Sequence, residues 1–395
     1  MPPKSLLGGL TPEQFLRDYW QKQPLLIRSA FPGFQDPITP EELAGLACEE
    51  QVQSRLVLEQ GGSRPWELRR GPFAEEEFLK LPESHWTLLV SDVEKHLPQL
   101  QALLEPFRFI PDWRIDDLQI SYAPVHGSVG PHWDDYDVLL LQGKGRRRWR
   151  ISHRPVAEDN VLPDVDLRIM GEFQADEDWV LEPGDMLYLP PRLAHYGTAL
   201  EPALTYSIGF RAPGHRELVH SFLDFLGEGV EDDGRYTDPD LRLQDHPARI
   251  APEAVRRARD LLARHIGTDS ALVESWLGRF LTEPKPYLAA QPMEEPWDAA
   301  ELDQFLDQAG TLERHPGSRF AFIEHADEIL LFIDGQEFAL GPPLKSLATW
   351  LCREHVYPAG QLCGLLKHAA ARALILDLVN EGYLVSYDDE REDDA

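Results

Sequence analysis

Leu181-Glu182-Pro183-Gly184-Asp185-Met186-Leu187-Tyr188-Leu189-Pro190-Pro191-Arg192-Leu193-Ala194-His195 is the stretch on which the reading of this chain turns. Pro-Gly-Asp is a tight-turn sequence and Met186 to Leu189 a short apolar strand. The two prolines then stop the strand and fix where the following residues project. Runs of the same kind occur at Leu118–Tyr122, Tyr136–Leu141, Trp149–Ile151 and Leu204–Phe210, separated by Gly, Pro and Asp. Many short strands with turn signals between them, from about residue 85 to 212, predict a barrel or a double-sheet jelly roll.

His195 gains meaning from an earlier segment, Gly130-Pro131-His132-Trp133-Asp134. Residues two apart on a strand share a face, so His132 and Asp134 are expected to aim together, with Trp133 on the other side. Two neutral imidazoles and one carboxylate can occupy one face of a non-haem Fe(II) ion, leaving positions open for oxygen and a co-substrate. His-x-Asp alone is a weak pattern, and three ordinary polar residues at strand ends are the competing reading. His126 and His153 have no same-face carboxylate two residues away and read as surface or core filler.

Such a triad needs a co-substrate that activates oxygen, usually 2-oxoglutarate, and the far carboxylate of that molecule needs a cation. In Gly145-Arg146-Arg147-Arg148-Trp149-Arg150-Ile151, alternation puts Arg147 with Trp149 and Ile151 on the apolar, interior face. A buried guanidinium left unpaired is costly, so something anionic should meet it. A co-substrate carboxylate matches its bidentate geometry; an Asp or Glu of the chain itself is the alternative. Ser121, on the strand before the metal motif, can add a hydroxyl to the same carboxylate.

The 395 residues allow two or three domains with at least one buried core. No apolar run approaches the roughly 20 residues that span a bilayer, and Met1–Ser5 lacks the pattern of a secretory signal. Cys48, Cys352 and Cys363 are few and scattered, which excludes a disulfide scaffold and suits a reducing cytosol; Cys352 and Cys363, too far apart for a Cys-x-x-Cys site, read as buried small apolar residues. With 68 acidic against 38 basic residues the net charge is −30. That is either a solubility or salt-adapted surface or the complement of a basic macromolecule, and nucleic acid is the partner least expected.

Around the β region, Thr11-Pro12-Glu13-Gln14 reads as a capped helix start. From about 214 to 282 the periodicity is helical, with Leu272, Trp276 and Phe280 recurring behind a cap at Asp269. These apolar faces must bury against the barrel or against a second copy. Pro284, Pro286, Pro292 and Pro296 mark a linker. Beyond it come strands at Phe320–Ile323, Ile329–Ile333 and Glu337–Leu340, a turn at Asp334-Gly335, and helical segments at about 344–355 and 359–381, the second with room for a break. A closing strand at Tyr383–Tyr387 completes the pattern of a winged helix. Asp and Glu outnumber Lys and Arg after residue 320, so this module reads as contacting protein, not DNA.

Several runs in combination resemble the Jumonji-C (JmjC) ribosomal oxygenases. They are Ser121-Tyr122, Gly130-Pro131-His132-x-Asp134-x-Tyr136-Asp137-Val138, Gln142-Gly143-x-Gly145-Arg146-Arg147-Arg148-Trp149, Glu182-Pro183-Gly184-Asp185 through His195, and Ser207-Ile208-Gly209-Phe210-Arg211-Ala212-Pro213. The likeness is strongest to the bacterial branch, which hydroxylates an arginine of a large-subunit ribosomal protein. It implies a cupin-like double-stranded β-helix over 1–213, a helical dimerisation region over 214–290 and a winged helix over 291–395. It implies Fe(II) on His132, Asp134 and His195, and 2-oxoglutarate held by Arg147 and Ser121. A homodimer through the helical region and a basic ribosomal protein substrate follow from the same likeness, while the cysteine usage predicts a cytoplasmic location and the charge and hydropathy predict no direct DNA or membrane binding. One departure stands out: Ala123 shares a strand face with Ser121 where relatives are expected to offer a second hydroxyl. A JmjC histidine hydroxylase, a lysine demethylase and a non-catalytic metal-binding cupin remain open alternatives.

Overall fold

The computed structural model describes residues 5–386 apart from 61–64, 164, 231–233, 244, 245 and 247. The N-terminal Met1–Lys4 and Tyr387, the end of the expected closing strand, lie outside the described residues. The chain divides into two compact units, Met1–Ala212 and Pro213–Ala395.

The first unit holds eleven described strands. They are β1 (Leu25–Ile27), β2 (Ser54–Glu59), β3 (Trp66–Arg70), β4 (Trp86–Val90), β5 (Ile115–Ala123), β6 (Asp137–Gln142), β7 (Arg147–Ser152), β8 (Glu177–Leu181), β9 (Met186–Leu189), β10 (Ala194–Ala199) and β11 (Ala203–Phe210). Eight pair in the order β1-β9-β6-β11-β5-β4-β2-β3, and the other three as β10-β7-β8. This is the two-sheet jelly roll that the turn spacing predicts. β1 to β3 were not legible: β1 has three residues and β3 is mostly charged, so pairing with β9 and β2 defines them, not their own pattern.

β6 shows why the larger sheet reads as continuous apolar sequence. All six of its residues are buried because both faces are covered. Val138 and Leu140 pack between the sheets with Trp149, Ile151, Leu181, Leu187 and Leu189. Leu139 and Leu141 point the other way, into a core with Phe15, Leu43, Phe107, Tyr188 and Tyr206. The helix Pro12–Asp18 in that second layer carries the expected capping box, Gln14 N–H donating to Thr11 Oγ1 at 3.2 Å. The Pro-Gly-Asp turn closes with Asp185 N–H donating to the Glu182 carbonyl at 2.9 Å. Gly184 takes φ +87°, the left-handed position of a type II turn, and a Cβ there would meet the Phe31 carbonyl oxygen at 2.4 Å.

In the second unit, helices span His215–Glu228, Pro252–His265 and Ser270–Thr282. The third is capped by Asp269 as expected, its side chain accepting from Leu272 N–H at 3.1 Å. No residue of the first two is buried; Val219, Leu223, Val255 and Leu262 are exposed. Six short strands follow among the described residues: β12 (Thr311–Arg314), β13 (Phe320–Glu324), β14 (Ile329–Ile333), β15 (Gln336–Leu340), β16 (Val356–Pro358) and β17 (Leu384–Ser386). They form the sheets β16-β12-β17 and β13-β14-β15. Helix Ser270–Thr282 packs on the second sheet, and Gly278 lets the Phe332 ring approach within 2.3 Å of where a Cβ would stand. The predicted 359–381 segment is two helices, Ala359–Leu365 and Ala369–Asn380. With helices Ala299–Asp307 and Lys345–Arg353 they enclose Leu302, Leu312, Leu347, Tyr357 and Ile375.

The Asp334-Gly335 turn has both residues at positive φ, 46° and 80°, as a two-residue hairpin requires. Burial raises the Asp334 carboxyl to about 6, although it accepts hydrogen bonds from Arg319 N–H at 2.7 Å and the Ser318 hydroxyl at 2.8 Å. Cys352 is buried as expected, but Cys363 is exposed, so buried-thiol packing holds for one of that pair; Cys48 is half-buried. Among the described residues no helix is long and apolar enough to cross a membrane.

Candidate metal centre

The strand carrying the His-x-Asp pair was expected to begin earlier than it does. β6 starts at Asp137, and His132 instead forms an isolated bridge with His195. His132 N–H donates to the His195 carbonyl at 3.0 Å, and the reverse bond is 2.8 Å. Backbone pairing between the two imidazole-bearing residues, not alternation along one strand, therefore sets them side by side. Their rings are 4.3 Å apart. The segment bearing Asp134 is tied to the same place by Arg192, whose backbone N–H, at φ +62°, donates to the Asp134 carbonyl at 2.7 Å. Trp133 packs with Met170 and Ala194, and Arg168 lies 5.6 Å from its ring.

One ligand atom from each of His132, Asp134 and His195 lies within 4.8 Å of the others. Asp134 Oδ2 is 4.0 Å from His132 Nε2 and 3.7 Å from His195 Nε2, too far for a hydrogen bond. Each Nδ1 is 2.9 Å from a carbonyl oxygen, that of Gly130 for His132 and that of Leu193 for His195. A carbonyl only accepts, so both Nδ1 atoms carry hydrogen. In the neutral rings each Nε2 then presents a lone pair to the common centre. Burial, reinforced by His132, holds His195 down to about 4, so it is neutral at ordinary pH. Three converging donors without hydrogen bonds among themselves suit a divalent cation.

The triad lines a cavity of about 430 Å³ shared with Thr87, Ser121, Tyr136, Arg147, Trp149 and Thr205. The Trp149 ring spans from His195, at 5.8 Å, to the Arg147 guanidinium, at 5.1 Å. Arg147 is 2% exposed. Its Nη1 donates to Ser121 Oγ at 3.4 Å and Thr205 Oγ1 at 3.3 Å, and its Nε has no partner. No carboxylate pairs with it among the described residues, and burial alone pulls it down to about 10. Of the two counter-ions the sequence allows, an internal acid is absent among the described residues. A buried, uncompensated guanidinium facing a cavity fits an anionic ligand.

Thr205 escaped sequence reading because, within Leu204–Phe210, it looks like an ordinary β-branched strand residue. Only pairing reveals it, since Thr205 lies opposite Ser121 on one side and Gln142 on the other. Ala123 is buried against Ala199 and Ala203 and offers no hydroxyl. A rim of ion pairs was also missed. Asp135 contacts Arg168 at 2.8 Å and Arg192 at 3.1 Å, and Arg192 reaches Glu158 at 2.9 Å. His126 and His153 are exposed, as expected of residues outside the centre.

A double-stranded β-helix with two histidines and an aspartate converging beside a buried arginine is the architecture of a JmjC oxygenase. Residues 102–218 match the JmjC domain and residues 262–385 the ROXA-like winged helix. The chain is 38% identical to ribosomal protein uL16 3-hydroxylase of Escherichia coli, over 93% of its own length and 96% of that protein. It is 41% identical to a probable ribosomal oxygenase of Haemophilus influenzae, over 63% of its length and 60% of that protein. The structure of YcfD, a ribosomal oxygenase from Escherichia coli, in complex with cobalt and 2-oxoglutarate superposes with a TM-score of 0.79. That match has 36% identity and covers 96% of this chain and 99% of the other. The chain belongs to the JmjC ribosomal oxygenases.

Proposed function

We propose that this chain is a 2-oxoglutarate- and Fe(II)-dependent oxygenase that hydroxylates an arginine side chain of a large-subunit ribosomal protein of the uL16 type. The observation that supports the reading is one cavity lined both by three converging donor atoms and by a buried guanidinium with no counter-ion among the described residues. Iron with 2-oxoglutarate would supply the oxidising power, consuming oxygen, releasing succinate and carbon dioxide, and adding one oxygen atom to a C–H bond.

The residues do the positioning. His132, Asp134 and His195 would hold the metal on one face, their Nδ1–H bonds to backbone fixing both rings. Arg147 and Ser121 would take the distal carboxylate of the co-substrate. Val138, Leu140 and Trp149 line the cavity with apolar surface, which excludes water and strengthens that ion pair. Choice of substrate belongs to the mouth. Alternation along β5 puts Asp117 on the same face as Gln119 and Ser121, and Asp134, Asp135 and Tyr136 lie on the cavity wall. Asp134 is committed to the metal set and Asp135 to Arg168 and Arg192, so the pull on a cationic side chain in a basic protein comes from the chain's net charge of −30.

We also place the working form as a homodimer in the cytoplasm, joined through the 214–290 helices, with 1–213 catalytic and 291–395 a winged helix that contacts protein. Two 14-residue amphipathic helices with no buried side chain support the self-association. The assay is incubation of the full chain with Fe(II), 2-oxoglutarate and uL16. The expected product is uL16 heavier by one oxygen on an arginine, with succinate formed in equal amount. Oxygen on histidine, loss of methyl groups, or no succinate would each overturn the assignment.

A further inference from the structure

One group in the cavity has no role so far. Thr87 on β4 is fully buried, lines the cavity, and its Oγ1 has no hydrogen-bond partner among the described residues. A buried hydroxyl left unsatisfied destabilises the protein unless something fills its valence. β4 pairs with β5 so that Leu88 faces Tyr122 and Leu89 faces Ser121. Continuing that register sets Thr87 beside Ala123, and alternation puts Thr87, Leu89 and Ser121 on one face of the sheet. Thr87 thus presents, from the neighbouring strand, the hydroxyl that Ala123 cannot.

The proton directions at the other hydroxyls sharpen the point. Gln142 Nε2 faces three carbonyls, those of Lys144 and Leu204 at 3.0 Å and Gly145 at 3.3 Å. Only the NH₂ end can satisfy three acceptors, so Oε1 is the end turned toward Thr205. The Thr205 hydroxyl therefore donates to Gln142, at 3.4 Å, and offers only a lone pair to Arg147. It anchors the guanidinium and has no proton left for a ligand. Ser121 accepts from Arg147 and keeps its own hydrogen. Thr87 keeps both hydrogen and lone pairs.

We propose that Thr87 is a further ligand-binding residue of this cavity, donating its hydroxyl together with Ser121 to the distal carboxylate of the 2-oxo acid that Arg147 holds. The inference rests on the oxygenase reading above. The test is calorimetric binding of 2-oxoglutarate to the full chain loaded with Mn(II) without oxygen, with 2-oxobutyrate, which lacks the distal carboxylate, as control. Thr87→Val, nearly isosteric, is expected to weaken 2-oxoglutarate about tenfold, one donor to a charged group. It should leave 2-oxobutyrate unchanged, and Thr87→Ser should restore the affinity. Equal 2-oxoglutarate affinity in Thr87→Val, or the same loss for both acids, would overturn the inference. Failure of the unaltered chain to bind 2-oxoglutarate at all would instead remove the reading beneath it.

Discussion

Replacing Arg147 by methionine separates a structural arginine from one that waits for a ligand. Burial lowers this guanidinium well below its usual range, to about 10, a desolvation burden of about 3 kcal/mol. Against it stand two long hydrogen bonds, at 3.3 and 3.4 Å, and the Trp149 ring contact at 5.1 Å. Together these return about 2 kcal/mol. Met fills similar volume without the charge, so the ligand-free variant should be more stable than the parent by about 1 kcal/mol. For a unit of this size that is about 2–4 °C in Tm. With metal present and 2-oxoglutarate at about 100 times its Kd, the parent should gain about 2.7 kcal/mol, and Arg147→Met almost nothing. Differential scanning calorimetry with and without 2-oxoglutarate reads both effects. A variant that melts several degrees below the parent when ligand-free, yet is still stabilised by 2-oxoglutarate, would refute the argument from an uncompensated charge.

Three further outcomes are expected. His195→Gln removes one of the three converging donor atoms and, on the proposed function, should weaken Mn(II) binding, followed by titration calorimetry, by more than the roughly 100-fold that outer-shell changes reach. Asp334 has a folded pKa of about 6 against the usual 3.8. The folded form binds more protons between those values, so the β14–β15 hairpin should lose stability as pH rises from about 4 to about 6. Hydrogen exchange, corrected for its intrinsic pH dependence, should show that loss in the parent and a flat profile in Asp334→Asn. Val255→Glu with Leu262→Glu puts charge on the exposed apolar face of helix Pro252–His265. Analytical ultracentrifugation should then report a shift from dimer to monomer, and an unchanged dimer would move the interface elsewhere.

Periodicity and turn chemistry carried most of the larger-scale reading. β5 to β7, β9 and β11 were visible as runs, and the helix at Ser270 was visible from its cap. Arg147 was placed inside by its neighbours Trp149 and Ile151 alone. What periodicity could not show were features made by pairing between distant segments. The edge strands β1 and β3, and β2 beside β3, have no distinctive pattern of their own. Thr205 and Thr87 are β-branched residues that suit any strand, and Cys363 looks no different in sequence from the buried Cys352.

By itself, the sequence determined the jelly-roll class, the three residues whose donor atoms converge and the burial of one arginine, because composition and alternation are local properties. The tertiary structure alone decided how the donors meet. His132 stands beside His195 through a backbone bridge, outside the strand once expected to carry it. It also decided that no carboxylate among the described residues pairs with Arg147, that Thr205 accepts from it, and that Thr87 lines the same cavity from β4. Which side chains converge on a cavity depends on register between strands far apart in the chain, and no window of sequence encodes that register.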